Sequence, residues 1–546
     1  MAEQNQTALT KKAEKKAKKA AEKARKQNKL EERVMPRVGI IAFAIVAAIV
    51  FAATYLRLSA IWPHDQAMGW IWLAVACSVS VLAAMAIFVA YLYYEERELL
   101  TKTKQLFTIA TLIVIATALT VVMNIIAFSF TAAFLAIILC GVLISRRAAY
   151  TMTVIMAGIC MLLAVTYFGP GAMDKPIAVA LALMVGGIVS VLILNGASGR
   201  MQPIVSGTIG GAAAAVTVLG VMAICGASLI DMLVPAAWML AGCLICGVFA
   251  TGLLPVFERA FDVATDARLN ELMNNNNPLL KRLMLEAPGT YHHSLIVAVM
   301  AEAAAELVGA NPLLCKTAAY YHDVGKLTSP RYFKENQGEY NIHDDLPPEE
   351  SARRIIAHQQ DSVTMLTKNK FPSEIIKMAE QHHGDSVVAF FYNKARNLAE
   401  DPNSVDINAY RYKASRPQTK ETAILMLADC CEAAVRSIKR PTSELIEERV
   451  HTIVNNLWRS PEGQLSDSPL TAKDVKLIEA SFIKNLLAQY HERIEYPATN
   501  EHPVTAAQEL PEQETVQHSL PEAIPQQELP SHRIREAIQN VQQKVE

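Results

Sequence analysis

Seven side chains of metal-ligating type fall between residues 293 and 429: His293, the doublet His322-Asp323, His358, the doublet His382-His383, and Asp429. Neutral imidazoles and carboxylates hold transition metals such as iron and manganese while leaving coordination positions open to water and substrate. Taken singly, each is a weak signal. A lone histidine on an amphipathic helix is more often a hydrogen-bonded core or surface residue than a ligand, and a His-Asp pair arises by chance. Two histidine-containing doublets and three further ligand-type residues in one helical region make chance the poorer explanation. The surrounding patterns are helical: His293 opens the run Ser294 to Leu307, Asp323 closes the run from Thr317, and Asp429 lies in Glu421 to Ile438, where Ala423, Leu427, Cys431 and Val435 have core-facing spacing.

Composition divides the chain that must carry these helices. At 546 residues, with 52% hydrophobic content and a positive mean hydropathy, it exceeds one domain and is too apolar to be soluble throughout. Almost all of the apolar excess lies before Leu254. A helix needs about 20 apolar residues to cross a hydrocarbon core of about 30 Å. About eight segments qualify: Val38 to Leu56, Trp70 to Tyr94, Leu106 to Met123, Ile125 to Ile144, Thr151 to Phe168, Ile177 to Leu194, Ile204 to Ile224, and Pro235 to Leu254. Only Asn124 separates the third from the fourth; a tight hairpin there puts Lys102, Lys104, Arg146 and Arg147 on one side. The positive-inside rule then gathers the basic start of the chain, Arg97, Arg200 and Arg259 on that same face and leaves Arg57 and Lys175 opposite. Both chain ends are therefore expected in the cytoplasm. No span carries Asp, Glu, Lys or Arg near its middle, so the signature of an ion pathway is lacking and the spans read as an anchor, with a sensory role left open.

The ends and the cysteines add less. The net charge of -1 averages a basic start, Lys11 to Arg37, with an acidic-leaning end. The basic stretch reads as a solvated tail or one drawn to anionic lipid headgroups, and the absence of interleaved aromatics argues against a nucleic-acid polymer as partner. It is also far longer than the basic region of a signal peptide. Of nine cysteines, Cys243 and Cys246 have CxxC spacing without a second pair, and no disulfide framework is visible. A helix over Phe257 to Met273 would lead out of the membrane, Asn274 to Pro278 breaks it, and a soluble, mostly helical region runs to about Pro497. The Pro-, Gln- and Glu-rich remainder is expected to be disordered apart from a short helix near Ile534 to Val545.

The motifs around the ligand-type residues are more specific. Ala287-Pro288-Gly289-Thr290-Tyr291-His292-His293-Ser294, Tyr320-Tyr321-His322-Asp323-Val324-Gly325-Lys326, Tyr332-Phe333-Lys334-Glu335-Asn336-Gln337, Gln381-His382-His383-Gly384 and Leu427-Ala428-Asp429 resemble the HD domain of the PgpH-type seven-transmembrane HD phosphodiesterases. The similarity runs from the second span to about Pro497. It implies an all-α fold, a polytopic transmembrane bundle of about eight spans followed by a cytoplasmic all-helical HD domain. The boundaries would be a basic tail over 1–37, the bundle over 38–256, a connecting helix over 257–278, the HD domain over 279–497 and a tail over 498–546.

Position by position, the resemblance implies two divalent transition-metal ions, iron or manganese, bridged by Asp323. His293, His322 and Asp429 would complete one ligand set and His358, His382 and His383 the other, with hydroxide between the metals as nucleophile. Such a pair lowers the pKa of water, clamps phosphate oxygens and offsets charge growing on phosphorus. The implied reaction is hydrolysis of cyclic di-AMP to linear pApA at the bacterial inner membrane. Lys326, three residues past Asp323, could reach a phosphate oxygen as a point charge and joins Asp323 in the catalytic set, although a solvated lysine is an equal reading. His292 reads as a neighbour of the site rather than a ligand, and His343 as a loop cap or a substrate contact. A homodimer is left open.

Two departures from the family pattern stand out. Only Arg57 to Gly69 separates the first two spans, where the family places a large extracellular domain, and the Arg411-Tyr412 pair lacks the Gly-Pro that relatives tend to place after it. Action on cyclic di-GMP is the second enzymatic reading, disfavoured because no Gly-Tyr-Pro follows His382-His383. A non-catalytic nucleotide-binding membrane receptor is the third, disfavoured because all seven ligand positions are filled.

Overall fold

The structure, a computed structural model, describes residues 103–168, 172–194, 199–459 and 463–490, with isolated positions from 48 to 94. The basic tail, nearly all of the first two expected spans, Val38 to Leu56 and Trp70 to Tyr94, and everything after Tyr490 lie outside the described residues.

Long apolar runs form helices here because a helix satisfies its own backbone polar groups where lipid offers none. They are α1 (Thr103–Met123), α2 (Ala133–Leu143), α3 (Arg146–Phe168), α4 (Asp174–Ile193), α5 (Gln202–Ile224) and α6 (Leu229–Phe261). All but α2 are long and apolar enough to cross a membrane. On α4, Leu181, Val185, Ile188 and Leu192 stay exposed at helical spacing while Ala178, Ala182 and Gly186 are buried, so the helix has a large-apolar outer face and a small-residue inner one. Inside, α4 and α5 exchange two hydroxyl contacts, Ser190 Oγ donating to the Ser206 carbonyl (3.1 Å) and Ser206 Oγ to that of Ser190 (2.9 Å).

Two expectations need correction. The fourth expected span, Ile125 to Ile144, is helical only over the eleven residues of α2, about 17 Å at 1.5 Å per residue and too short to cross. Residues 124–132 instead form turns, exposed at Ile125 and Ile126 and buried from Ser129 to Ala132, where Thr120 Oγ1 accepts from the amide of Ala132 (3.1 Å) and Thr131 Oγ1 from that of Ala133 (3.1 Å). Protein hydroxyls thereby replace helical hydrogen bonds within the bundle. The expected helix over Phe257 to Met273 is also broken. Its first five residues belong to α6, which ends at Asp262 in the left-handed region (φ 57°), and Thr265 caps a separate α7 (Asp266–Leu272).

That break is bound from several sides. Arg200, in the loop between α4 and α5, pairs with both oxygens of buried Glu258 (3.0 Å each) and with both of Glu271 (2.6 and 2.7 Å). Asp262 Oδ1 accepts the Ser373 amide (3.1 Å), and Arg268 donates to the Lys370 carbonyl (2.8 Å).

The soluble part comprises α8 (Pro278–Glu286), α9 (Pro288–Leu307), α10 (Pro312–Tyr321), α11 (Pro348–Lys368), α12 (Ser373–Gln381), α13 (Ala389–Leu398), α14 (Lys420–Arg436), α15 (Ser443–Arg459) and α16 (Ala472–Gln489). Proline opens α8 to α11, where its fixed φ suits the helix and its missing N–H is not needed. Asn277 and Asn311 cap α8 and α10, and Thr471 with Asp474 forms a capping box on α16. A core of Val297, Ala301, Ala304, Leu427, Cys431 and Phe482 joins α9, α14 and α16. Among the described residues the fold is all-helical, with a single antiparallel bridge between Val387 and Arg411.

Candidate metal centre

Five helix segments supply the seven expected ligands. His293 lies in the second turn of α9, His322 and Asp323 follow α10, His358 sits in α11, His382 and His383 follow α12, and Asp429 is in the middle of α14. The fold brings all seven together in two groups, Asp323 with His358, His382 and His383, and His293 with His322 and Asp429. Within each group the ligand atoms lie within 4.8 Å of one another.

Four of the five imidazole rings are turned by a partner on the far side. His322, His358 and His382 donate from Nδ1 to the carbonyls of Ala319 (2.8 Å), Ile355 (2.6 Å) and Ala379 (2.7 Å), each three residues back. His293 Nδ1 is 2.5 Å from Oε2 of Glu432, which is fully buried one turn beyond Asp429 and also faces Arg436. With the proton on Nδ1, the Nε2 of these four rings faces inward, the arrangement that fixes the tautomer of a metal-binding histidine; His383 instead turns Nδ1 toward Asp429.

Nε2 of His322, His358 and His382 and Oδ1 of Asp323 are buried without a hydrogen-bond partner. A single such group costs about 1–3 kcal/mol, so four converging on one place are unfavourable unless a cation lies among them, and the donor set fits one. Asp323 faces both groups: Oδ1 is 3.2 Å from His358 Nε2 and 3.8 Å from His382 Nε2, whereas Oδ2 is 3.3 Å from His322 Nε2 and 3.7 Å from His293 Nε2. Asp429 turns Oδ1 toward His293 (3.1 Å) and Oδ2 toward His383 (3.8 Å).

Charge is distributed unequally over this cluster. Burial works against ionising His322, but Asp323 and Asp429 outweigh it and push its pKa up to about 10. His293 is raised in the same way against burial, by Asp429 and Glu432. In His382 burial and the neighbouring His383 hold the pKa well below the imidazole range, and burial takes His383 down to about 3. Despite burial, Asp323 is held far below the carboxylate range by Lys326 and His322, and Asp429 by His293 and His322.

Lys326 lies inside the centre, its Nζ 2.7 Å from Asp323 Oδ2 and 2.7 Å from Glu335 Oε1, with the ring of Phe333 beneath it (4.9 Å). The structure thus removes the reading of a freely solvated lysine. Glu335, whose carboxyl Lys326 draws down to about 2 against burial, also accepts from Thr290 Oγ1, and Asn336 caps the start of α9 through the amides of Gly289 (2.9 Å) and Thr290 (3.2 Å). His292 points outward and is exposed. His343 is buried away from the seven, with Nε2 2.7 Å from the Tyr332 carbonyl and its ring against Phe391, so it ties a loop.

The turn after His383 is fixed by Gly384, at φ 55°, and by Gln464, Arg416 and Arg411, which bind the amide, carboxylate and carbonyl of Asp385. Tyr412 donates its amide to the Ser386 carbonyl (2.9 Å) and stacks its ring on His383, centroids 4.4 Å apart.

Sequence reasoning assigned no role to Glu432, Glu335 or Tyr412. Glu432 could have been found from its i+3 spacing to Asp429, which places both on one helix face; Glu335 stood within a quoted motif.

Residues 290–434 match the family model described as an HD domain, and residues 69–265 match that of a 7TM receptor with intracellular HD hydrolase. The two matched regions take in the His/Asp cluster and the described membrane-type helices respectively. A curated relative from Listeria monocytogenes, cyclic-di-AMP phosphodiesterase PgpH, is 37% identical over 375 residues, covering 68% of this chain and 50% of the relative. The protein of the same description from Bacillus subtilis is 45% identical over 251 residues, 46% of this chain and 35% of the relative. The chain therefore spans half or less of the curated relatives it matches. A solved structure of the L. monocytogenes PgpH HD domain in complex with cyclic di-AMP is 42% identical; the match covers 40% of this chain and all of that one, with a TM-score of 0.38. HD domains depend on metal, and the His/Asp cluster lies within the region matched to one.

Proposed function

We propose that the chain is a membrane-anchored, metal-dependent phosphodiesterase that opens cyclic di-AMP to linear pApA in second-messenger signalling. The HD domain and both chain ends would lie on the cytoplasmic side of a bacterial inner membrane. The observation that carries the reading is the two-faced carboxylate of Asp323, with an oxygen toward each group of imidazoles.

His293, His322, Asp429 and Asp323 Oδ2 would hold one divalent ion, and His358, His382, His383 and Asp323 Oδ1 the other, iron or manganese by donor type. Bound there, such a pair supplies Lewis acidity toward phosphate oxygens and a water of lowered pKa. The protein's own groups do the positioning. Glu432 and the carbonyls of Ala319, Ile355 and Ala379 fix the imidazole tautomers. Lys326 balances the charge of Asp323 and Glu335 and, held by both, presents its ammonium toward a phosphate at the same place. Support for the adenine dinucleotide comes from the two PgpH relatives, which carry that activity in their descriptions.

The test is turnover by the full chain in detergent, supplied with manganese or ferrous iron and cyclic di-AMP, with pApA identified by mass. A folded, metal-loaded protein that leaves the nucleotide intact refutes the reading, and preference for cyclic di-GMP redirects it.

A further inference from the structure

Among the aromatic residues around the centre, Tyr412 differs from its neighbours in what its hydroxyl does. Buried tyrosines ordinarily find a partner for the O–H, and two nearby ones do: Tyr321 donates to the Leu272 carbonyl and Tyr410 to Glu349 Oε1 (2.7 Å). Tyr412 is almost as buried, and no described residue takes up its hydroxyl. Its position is nonetheless tightly fixed. The antiparallel bridge from Val387 to Arg411 and the bond from its own amide to Ser386 hold the backbone against the turn that carries His383. The ring stacks on His383 with planes 28° apart and meets His358 edge-on, centroids 6.0 Å apart. Both of those rings belong to one group of ligand-type residues, so the phenol sits directly beside the cluster.

We propose that Tyr412 is a further catalytic residue, its ring keeping His383 in place while its hydroxyl donates a hydrogen bond to a phosphate oxygen of the substrate. The inference rests on the phosphodiesterase reading above for the identity of that phosphate. The phenol is a donor with no partner at the cluster, whereas Nδ1 of His322, His358 and His382 is given to carbonyls, that of His293 to Glu432, that of His383 is turned toward Asp429, and Lys326 is shared between two carboxylates. A preorganised donor in a dry site stabilises charge growing on phosphate oxygens more than the same group does in water.

Two substitutions separate ring from hydroxyl in the full chain. In manganese-loaded protein, Tyr412→Phe keeps the ring on His383; its metal content should match wild type while kcat for cyclic di-AMP falls on the order of 10²-fold, the usual effect of deleting one such donor. Tyr412→Leu removes the stacked face as well and should also lose metal. A second measurement needs no turnover: inorganic phosphate binding to the manganese-loaded chain, by calorimetry, should be several-fold weaker in the Phe variant. Wild-type kcat and phosphate affinity in Tyr412→Phe overturn the proposal, as does a Phe variant whose metal content drops with its activity. If wild type leaves cyclic di-AMP intact yet binds phosphate more tightly than the Phe variant, the substrate reading fails and the contact stands.

Discussion

On the side of His293 and His322, two buried carboxylates, Asp429 and Glu432, are set among the imidazoles; on the side of His358, His382 and His383, the rings share Asp323 Oδ1 and a more distant oxygen of Asp429. The halves use the same residue types and treat protons in opposite ways. The first gathers enough negative charge to keep imidazoles protonated when no cation is there, with His322 pushed up to about 10. The second, buried and poorer in charge, keeps its rings neutral, His383 down to about 3. A metal entering the first half must displace protons, and one entering the second meets ready lone pairs but less charge to bind it. The two halves are thus joined by a shared aspartate and set apart by their charge.

The largest effect should come from removing what the halves share. Asp323→Ala is expected to lower turnover on the order of 10⁴-fold or more and to reduce bound metal while circular dichroism stays unchanged; retained activity would dissolve the idea of a common carboxylate. Separating the halves is the next step. His293→Ala and His358→Ala should each retain one manganese per chain instead of two by elemental analysis, and loss of both from either variant would merge the halves into one unit. Glu432→Gln touches only the first half, where loss of a partner behind a ligand costs about 10–100-fold in metal affinity. A manganese titration should show one weakened step and one unchanged.

Protons offer a gentler probe. In chelator-stripped protein, the raised pKa of His322 gives a stability contribution that is complete below pH 6.5 and lost as pH climbs through about 10. The lowered pKa of His383 gives one complete above pH 6.5 and lost as pH falls toward about 3. Urea midpoints across that range should decline at both ends, and His322→Asn should flatten the alkaline limb alone. The smallest effect is expected at Arg416, whose pair with Asp385 is partly exposed. Such pairs are worth up to about 1 kcal/mol, so Arg416→Ala should change turnover by no more than about five-fold.

Much of this arrangement could be read before any coordinates. The doublets at 322 and 382 and the helical spacing around Asp429 mark the ligands because metal chemistry restricts residue type, and the prolines at 278, 288, 312 and 348 mark helix starts because ring geometry restricts φ. What was hidden depends on partners distant in sequence. Hydropathy runs unbroken from Ile125 to Ile144, yet α2 is short because Thr120 supplies the hydrogen bond that frees the backbone before it. The exit helix breaks at Asp262, where Ser373, 111 residues later, takes the carboxylate. Glu432 matters through a contact 139 residues away, and Tyr412 through a stack on His383 that no local pattern announces.

Gly325, two residues past Asp323, has a role defined by what it leaves out. A Cβ there would lie 2.0 Å from the His358 carbonyl and 2.4 Å from the Ser362 amide, so the turn bearing Asp323 leans directly on the helix bearing His358. Coordination tolerates misplacement of only about 0.2 Å, and one methyl group at this contact would wedge the supports apart by more than that. The gauge that sets the spacing between the two groups of ligand-type residues is therefore the side chain that glycine lacks.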